Sequence, residues 1–182
     1  MKNLITALNL FVCMTVITGI VYPFAVWCCG QAAFNEQAEG SILTMNGRIV
    51  GSGLIGQNFS RPDYFWPRPS AVNYNPMSSG GSNLSLTSMQ LQAALKDRKA
   101  KFPTGDAPAD LLFASGSGLD PHISPEAAHI QCARVAHMRG VPEVDIMSLV
   151  DAIAEPRQAG FLGEPRVNVL RLNLKLDEKY SK

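Results

Sequence analysis

Leu4 to Cys29 reads LITALNLFVCMTVITGIVYPFAVWCC, and no charged residue occurs between Asn3 and Asn35. As a helix rising 1.5 Å per residue, this run extends roughly 39 Å against a hydrocarbon core of about 30 Å, enough to cross a bilayer even when tilted. Tyr22 and Trp27 fall toward its far end, where interfacial aromatic residues are expected. A cleaved secretory signal has an apolar core of only about 7 to 15 residues. Gly30-Gln31-Ala32 is a weak match to a cleavage site, and bulky Trp27 before Cys28 argues against a lipoprotein signal. The sequence therefore divides into an N-terminal flank (1–3), a transmembrane helix (4–29) and one soluble domain (30–182). Lys2 and the amino terminus on one side, with Glu36 and Glu39 on the other, favour an inside N-terminus and an outside body.

Lys and Arg number 16 against 15 Asp and Glu, a net charge of +1. That balance leaves no basic field for nucleic acid and no acidic tail. Cys13, Cys28 and Cys29 belong to the span or its edge, so Cys132 is the only thiol of the body and no intradomain disulfide can form.

Outward from the span, Ile42-Leu43-Thr44-Met45 and Arg48-Ile49-Val50 flank Asn46-Gly47, a pair suited to the positive φ angles of a type I′ turn, and predict a β-hairpin. Gly51, Gly53 and Gly56 then suggest a bulge or a close backbone approach. Asn58 to Asn83, rich in Pro, Ser, Asn and aromatic residues, reads as a long functional or self-packed loop. Leu86 to Lys101 predicts a helix capped by Ser85 or Thr87, with Leu91, Ala94 and Leu95 on its apolar side. After a turn from Pro103 to Pro108, Leu111-Leu112-Phe113-Ala114 reads as a buried strand. Ser124-Pro125-Glu126 then starts a helix that Gly140 ends. Val144, Met147, Val150 and Ile153 recur at helical spacing in the next segment, from Pro142 to Pro156. From Val167 to Leu176, leucines at 170, 172, 174 and 176 alternate with polar residues and predict a closing strand with one wet face. The fold class is a mixed α+β domain on a single N-terminal transmembrane helix.

Several segments suggest chemistry. Gly51-Ser52-Gly53-Leu54-Ile55-Gly56 matches the dinucleotide fingerprint in letters, but Gln57 to Pro62 opens a loop where that motif needs a helix, and Gln57 stands where a P-loop needs lysine. Ser79-Gly80-Gly81-Ser82 is a glycine-rich turn leading toward a helix, either a connector or an anion-binding nest of backbone amides. Ala114 to Pro125 groups Ser115, Ser117, Asp120 and His122, which could serve a membrane-anchored serine hydrolase as nucleophile, orienter and base. Neither serine lies in a nucleophile elbow, and Pro121 stiffens the link between Asp120 and His122. The competing reading is a strand-to-helix corner, with Ser124 as helix cap and the other polar residues fixing turns or docking a partner. His129, Cys132 and His137 lack the spacing of a zinc site, so no metal is expected.

Across nearly the whole length, these blocks resemble the C subunit of the bacterial Kdp potassium-transporting P-type ATPase. The resemblance rests on Tyr22-Pro23, Gly51-Ser52, Leu54 to Phe59, Tyr64 to Ala71, Tyr74-Asn75, Ser79 to Asn83, Pro108 to Leu111, Ala114 to Pro125 and Gly163 to Leu170, in that order. It implies a non-catalytic, single-span subunit of a potassium uptake complex in the bacterial cell inner membrane, with membrane lipid around its span. Its implied partners are an ATP-hydrolysing P-type subunit and a potassium-channel-like subunit. It also implies a role as catalytic chaperone, raising the ATP affinity of the hydrolysing subunit, with Ser79, Gly80, Gly81 and Ser82 at the nucleotide and ATP shared with that subunit. A periplasmic body would not meet cytosolic ATP. The alternative role is a body that caps the potassium entrance and stabilises the assembly from outside.

Overall fold

A computed structural model describes residues 2–102 and 107–180. Positions 103–106 of the turn expected between Pro103 and Pro108 lie outside the described residues. The chain forms two units, Met1–Ile42 and Leu43–Lys182.

The first unit is dominated by one continuous helical segment, Lys2–Ala33, long and apolar enough to cross a bilayer. It comprises α1 (Lys2–Val16), a π-helical turn (Ile17–Val21) and α2 (Tyr22–Ala33), followed by the short α3 (Asn35–Ala38). The π turn has a local cause. Pro23 has no N–H and its ring would strike the carbonyl four residues back, so widening the preceding turn lets the helix continue; there Tyr22 N–H donates to Ile17 O. Thr15 and Thr18 donate their hydroxyls to Phe11 O (2.8 Å) and Met14 O (2.7 Å), so neither asks lipid for a partner.

Strand β1 (Ile42–Met45), which begins on the last residue of the first unit, and β2 (Arg48–Ser52) pair as the expected hairpin, with φ of 52° at Asn46 and 74° at Gly47. The long loop follows, interrupted only by a 3₁₀ turn at Pro76–Ser78. Helix α4 spans Met89–Lys99, starting later than expected because Ser85 and Thr87 hydrogen-bond each other in a separate turn instead of capping it. The remaining elements are α5 (Ala109–Leu112), β3 (His122–Ile123), α6 (Pro125–Arg139), α7 (Glu143–Ile153), β4 (Val167–Asn168) and α8 (Val169–Lys179).

Two expected strands are helical. Leu111 to Ala114 gives way to the single turn α5, where Phe113 N–H donates to Ala109 O and only Leu111 is buried. Val167 to Leu176 contributes two strand residues and then turns into α8. Asn168 caps that helix by accepting Arg171 N–H at 3.1 Å, and the buried set Val169, Leu170, Leu172, Asn173 and Leu176 has helical spacing. The leucine alternation hid this period because Asn173, a polar letter, faces inward. In α7 the helical period was right but the phase was displaced: Ile146 and Val150 are buried, while Val144 is exposed.

The core lies among α6, α7, α8 and the segment around Phe65. Ala127, Ala128 and Ala136 keep α6 slim, and Val135, Ile146, Val150, Leu172 and Leu176 fill the space between the helices. Phe65 is completely buried although its segment has no regular structure. Buried Asn173 makes that possible. Its Oδ1 accepts Phe65 N–H at 2.9 Å and its Nδ2 donates to Phe65 O at 3.0 Å. Gln131 repeats the device one residue on, accepting Trp66 N–H at 2.8 Å and donating to Trp66 O at 3.2 Å. The Arg134 guanidinium lies 3.8 Å above the Trp66 ring and donates to Tyr64 O, Pro62 O and Gln131 Oε1. Burial lowers its pKa to about 10, which still leaves it charged at neutral pH. Arg139 closes the row, bonding Asp63 O and Asp177, whose other oxygen accepts the Tyr64 hydroxyl. Replacing Asn173 with Ala strands the N–H and C=O of Phe65 in an apolar core; about 3 kcal/mol of stability is the expected loss, read as a lower urea midpoint at unchanged m value.

Candidate functional site

The segment 115–124 is a corner fastened from four directions. Asp110 Oδ2 accepts Ser124 N–H at 2.7 Å, and Ser124 Oγ accepts Ala127 N–H at 3.0 Å, so the Ser124-Pro125 helix start forms as its sequence predicts. Strand β3 pairs antiparallel with β4, His122 opposite Asn168 and Ile123 opposite Val167. Val169 N–H donates to Pro121 O at 3.0 Å, and Gly56 N–H to Leu119 O at 2.7 Å. A Cβ on Gly56 would sit 2.6 Å from Asp120 O, so this last glycine of the 51–56 run serves close backbone approach.

The long loop supplies the rest of the site. Ser70 Oγ donates to Gly118 O at 2.7 Å and accepts the N–H groups of Val72 and Tyr74. Tyr74 donates its hydroxyl to Arg68 O at 2.6 Å; burial raises its pKa to about 12, against the opposing charge of Arg98, so it stays neutral. Ser79 Oγ and Gly80 N–H both donate to Ser117 O, at 3.1 and 2.8 Å. Gly118 has φ of 67°, and an added Cβ would lie 2.6 Å from Val72 Cγ2 and 2.8 Å from Gly80 O.

The residues that suggested a hydrolase are thus brought together, but as parts of this corner. Ser115 is buried, with its N–H on Pro69 O. Ser117 Oγ accepts Leu119 N–H at 3.1 Å. Among the described residues no hydrogen bond joins either serine to His122, whose Nδ1 stands 3.6 Å from Asp120 Oδ1. Asp120 also accepts His122 N–H at 3.0 Å and the Arg68 guanidinium at 2.9 Å. Burial pushes its pKa up, but the nearby His122 ring, the His122 N–H and the Arg68 guanidinium prevail and hold it at about 2. Asp120, Arg68 and His122 line an open cleft of about 690 Å³ together with Phe113, Glu164 and Arg166. In the sequence Arg68, Ser70 and Tyr74 stand out only as members of the blocks that carry the resemblance, not as site residues. The visible signal was Arg68 between Pro67 and Pro69, a cation on a stiff segment.

Gly81 and Ser82 border a second cleft of about 380 Å³, which Arg98 also lines. Helix α4 begins only at Met89, so no helix N-terminus stands at the Ser79–Ser82 turn. Cys132 is buried and its thiol is pushed up to about 12 by burial, with Glu143 and Asp151 adding to it, while His129 pairs with Asp151 at 2.8 Å. Among the described residues no group of three or more His, Cys, Asp or Glu side chains could hold a metal ion.

The model of the family described as KdpC, K+-transporting ATPase, c chain, matches residues 4–178. The chain belongs to the KdpC family. It is 50% identical over 186 residues to the potassium-transporting ATPase KdpC subunit of Geotalea uraniireducens (strain Rf4), covering 98% of each chain. Against the KdpC subunit of Dechloromonas aromatica (strain RCB) identity is 50% over 187 residues, 97% of this chain and 98% of the relative. Against that of Paraburkholderia phytofirmans it is 49% over 188 residues, 98% of each. The resemblance drawn from the sequence blocks is therefore borne out, and membership in the KdpC family describes a subunit rather than a self-contained enzyme.

Two expectations test the corner. The Asp120 pKa is depressed on folding, so its contribution is present above about pH 4 and is lost as pH falls through about 2; Asp120→Asn should remove that part of the acid limb from a stability-against-pH curve. Gly118→Ala meets both a strained φ and a clash with Val72 and Gly80, and should lower stability by at least about 2 kcal/mol in urea unfolding.

Proposed function

We propose that this chain is the non-catalytic accessory subunit of an ATP-driven, high-affinity potassium uptake complex. Residues 4–29 anchor it in a bacterial inner membrane, the amino terminus is cytoplasmic, and residues 30–182 form a periplasmic domain. The ATP-hydrolysing P-type subunit and the potassium-channel-like subunit carry the chemistry and the ion path. The observation that carries this reading is a family match running from Leu4 in the apolar helix to Glu178 in α8, which takes in anchor and body together. A corner in which Ser117 Oγ accepts a turn N–H and His122 faces Asp120 and not a serine supports a binding part over a hydrolytic one. In that part Ser115, Ser117, Asp120 and His122 fix a rigid surface for docking, and the body stabilises the assembly from outside.

A second reading, the catalytic chaperone that raises ATP affinity through Ser79, Gly80, Gly81 and Ser82, has one observation in its favour: Gly81 and Ser82 share a cleft with the cation Arg98. Against it stands the commitment of the Ser79 hydroxyl and Gly80 N–H to Ser117 O. Deleting the chain from the complex should abolish potassium-stimulated ATP hydrolysis, while the purified chain alone hydrolyses no ATP. A reporter fused after Lys182 should be active only on the periplasmic side. A cytoplasmic C-terminus would sink the outside-cap role and restore the nucleotide reading.

A further inference from the structure

Between the long loop and the end of α4 lies a cavity of about 220 Å³, distinct from the two clefts described above. Its apolar lining comes from Phe59, Trp66, Tyr74, Phe102, Pro67 and Pro69. These walls are held in place by the fold itself. Trp66 has its amide and carbonyl on Gln131 and its indole N–H on Arg61 O at 3.0 Å, and the Phe102 ring meets it edge-on with centroids 6.1 Å apart. Tyr74 is tied through its hydroxyl to Arg68 O, and Phe102, 8% exposed, belongs to the core. An apolar cavity left open on a fixed scaffold forfeits the contacts that filling it would supply, and a preformed one binds with little ordering cost.

The charges at the cavity have one sign. Arg98 and Lys101 line it, and none of the described residues around it is acidic. Arg98 commits one N–H to Leu112 O at 2.6 Å and, like Lys101, forms no ion pair among the described residues. Cations in the last turn of a helix are favoured by its dipole, which accounts for Lys96, Arg98 and Lys99 on α4 as such. It does not account for Arg98 converging with Lys101, beyond the helix, on an aromatic cavity.

We propose that this cavity binds a small aromatic carboxylate, its ring among Phe59, Trp66, Tyr74 and Phe102 and its carboxylate on Arg98 and Lys101. A cavity of about 150 Å³ holds benzene, so this one admits a ring with a charged head. An apolar lining with a few convergent polar groups is the usual form of a small-molecule site. Aromatic walls alone would suit a cation, but the two positive side chains repel one. A bare inorganic anion would leave the rings unfilled. The site stands apart from the accessory-subunit reading, since all its residues lie in the body of this chain.

The test uses the full-length chain in detergent, with Trp27→Phe so that Trp66 is the single tryptophan. Benzoate should change Trp66 emission to saturation. Benzamide, which keeps the ring without the charge, and acetate, which keeps the charge without the ring, should each bind at least about tenfold more weakly. Lys101→Met should weaken benzoate roughly fivefold or more, with benzamide unchanged, and Arg98→Met should act in the same direction. Lys96→Met, which removes a cation of the same helix away from the cavity lining, should change neither. The Lys101 side chain makes no hydrogen bond among the described residues, so its variant keeps the urea midpoint even where loss of the Arg98 bond to Leu112 O lowers it. No saturable change, benzamide or acetate binding as tightly as benzoate, or equal losses from Lys96→Met and Lys101→Met would overturn the site and leave the accessory role standing.

Discussion

The backbone of Phe65 and Trp66 has to be hydrogen-bonded inside a helical core that offers it no strand to pair with, and the rest of the body is arranged around that requirement. An unpaired buried amide costs about 1 to 3 kcal/mol, and two consecutive residues present four such groups. Asn173 on α8 and Gln131 on α6 answer with bidentate side-chain amides that stand in for a neighbouring strand. Because the two amides come from different helices, the same contacts fix the spacing of α6 and α8. Arg134 and Arg139 extend the row to Pro62, Tyr64 and Asp63, so a charged side of α6 reads the backbone of a loop. An irregular segment thereby becomes as well determined as a strand.

The corner at 115–124 follows from that framework. Once the segment from Tyr64 to Ala71 is fixed, Arg68 and Ser70 stand at set positions, one holding the Asp120 carboxylate and the other the Gly118 carbonyl. Close approach then demands glycine at 56 and 118, because larger residues would strike Asp120 O or Val72. The cluster of serines, aspartate and histidine that invites a catalytic reading is what a tight turn needs: acceptors for stray N–H groups and small side chains where backbones touch. Chemistry needs a nucleophile within reach of its base, and among the described residues no hydrogen bond joins Ser115 or Ser117 to His122.

Local signals were legible wherever a motif carries its own geometry. Asn46-Gly47 gave a hairpin, Ser124-Pro125 a helix start and the charge-free run from Asn3 to Asn35 an apolar helix, each for reasons internal to a few residues. The failures share one cause. In 169–176 a buried Asn173 masked the helical period, and in 109–114 a short apolar run offered no means of telling a strand from a turn of helix. Arg68, Ser70 and Tyr74 were invisible as site residues because their partners lie about 50 residues away or in the backbone of their own loop.

The sequence by itself determined the apolar helix, the α+β class and, through its ordered blocks, membership in the KdpC family, because these depend on composition, local spacing and identity of residues. Only the tertiary structure decided that Ser117 and His122 do not meet, that Ser79 and Gly80 bind a carbonyl of their own chain, and that Arg98 and Lys101 line one cavity with Trp66 and Tyr74. Those outcomes depend on distances between segments far apart in the chain, and no local pattern encodes which carbonyl a hydroxyl will find.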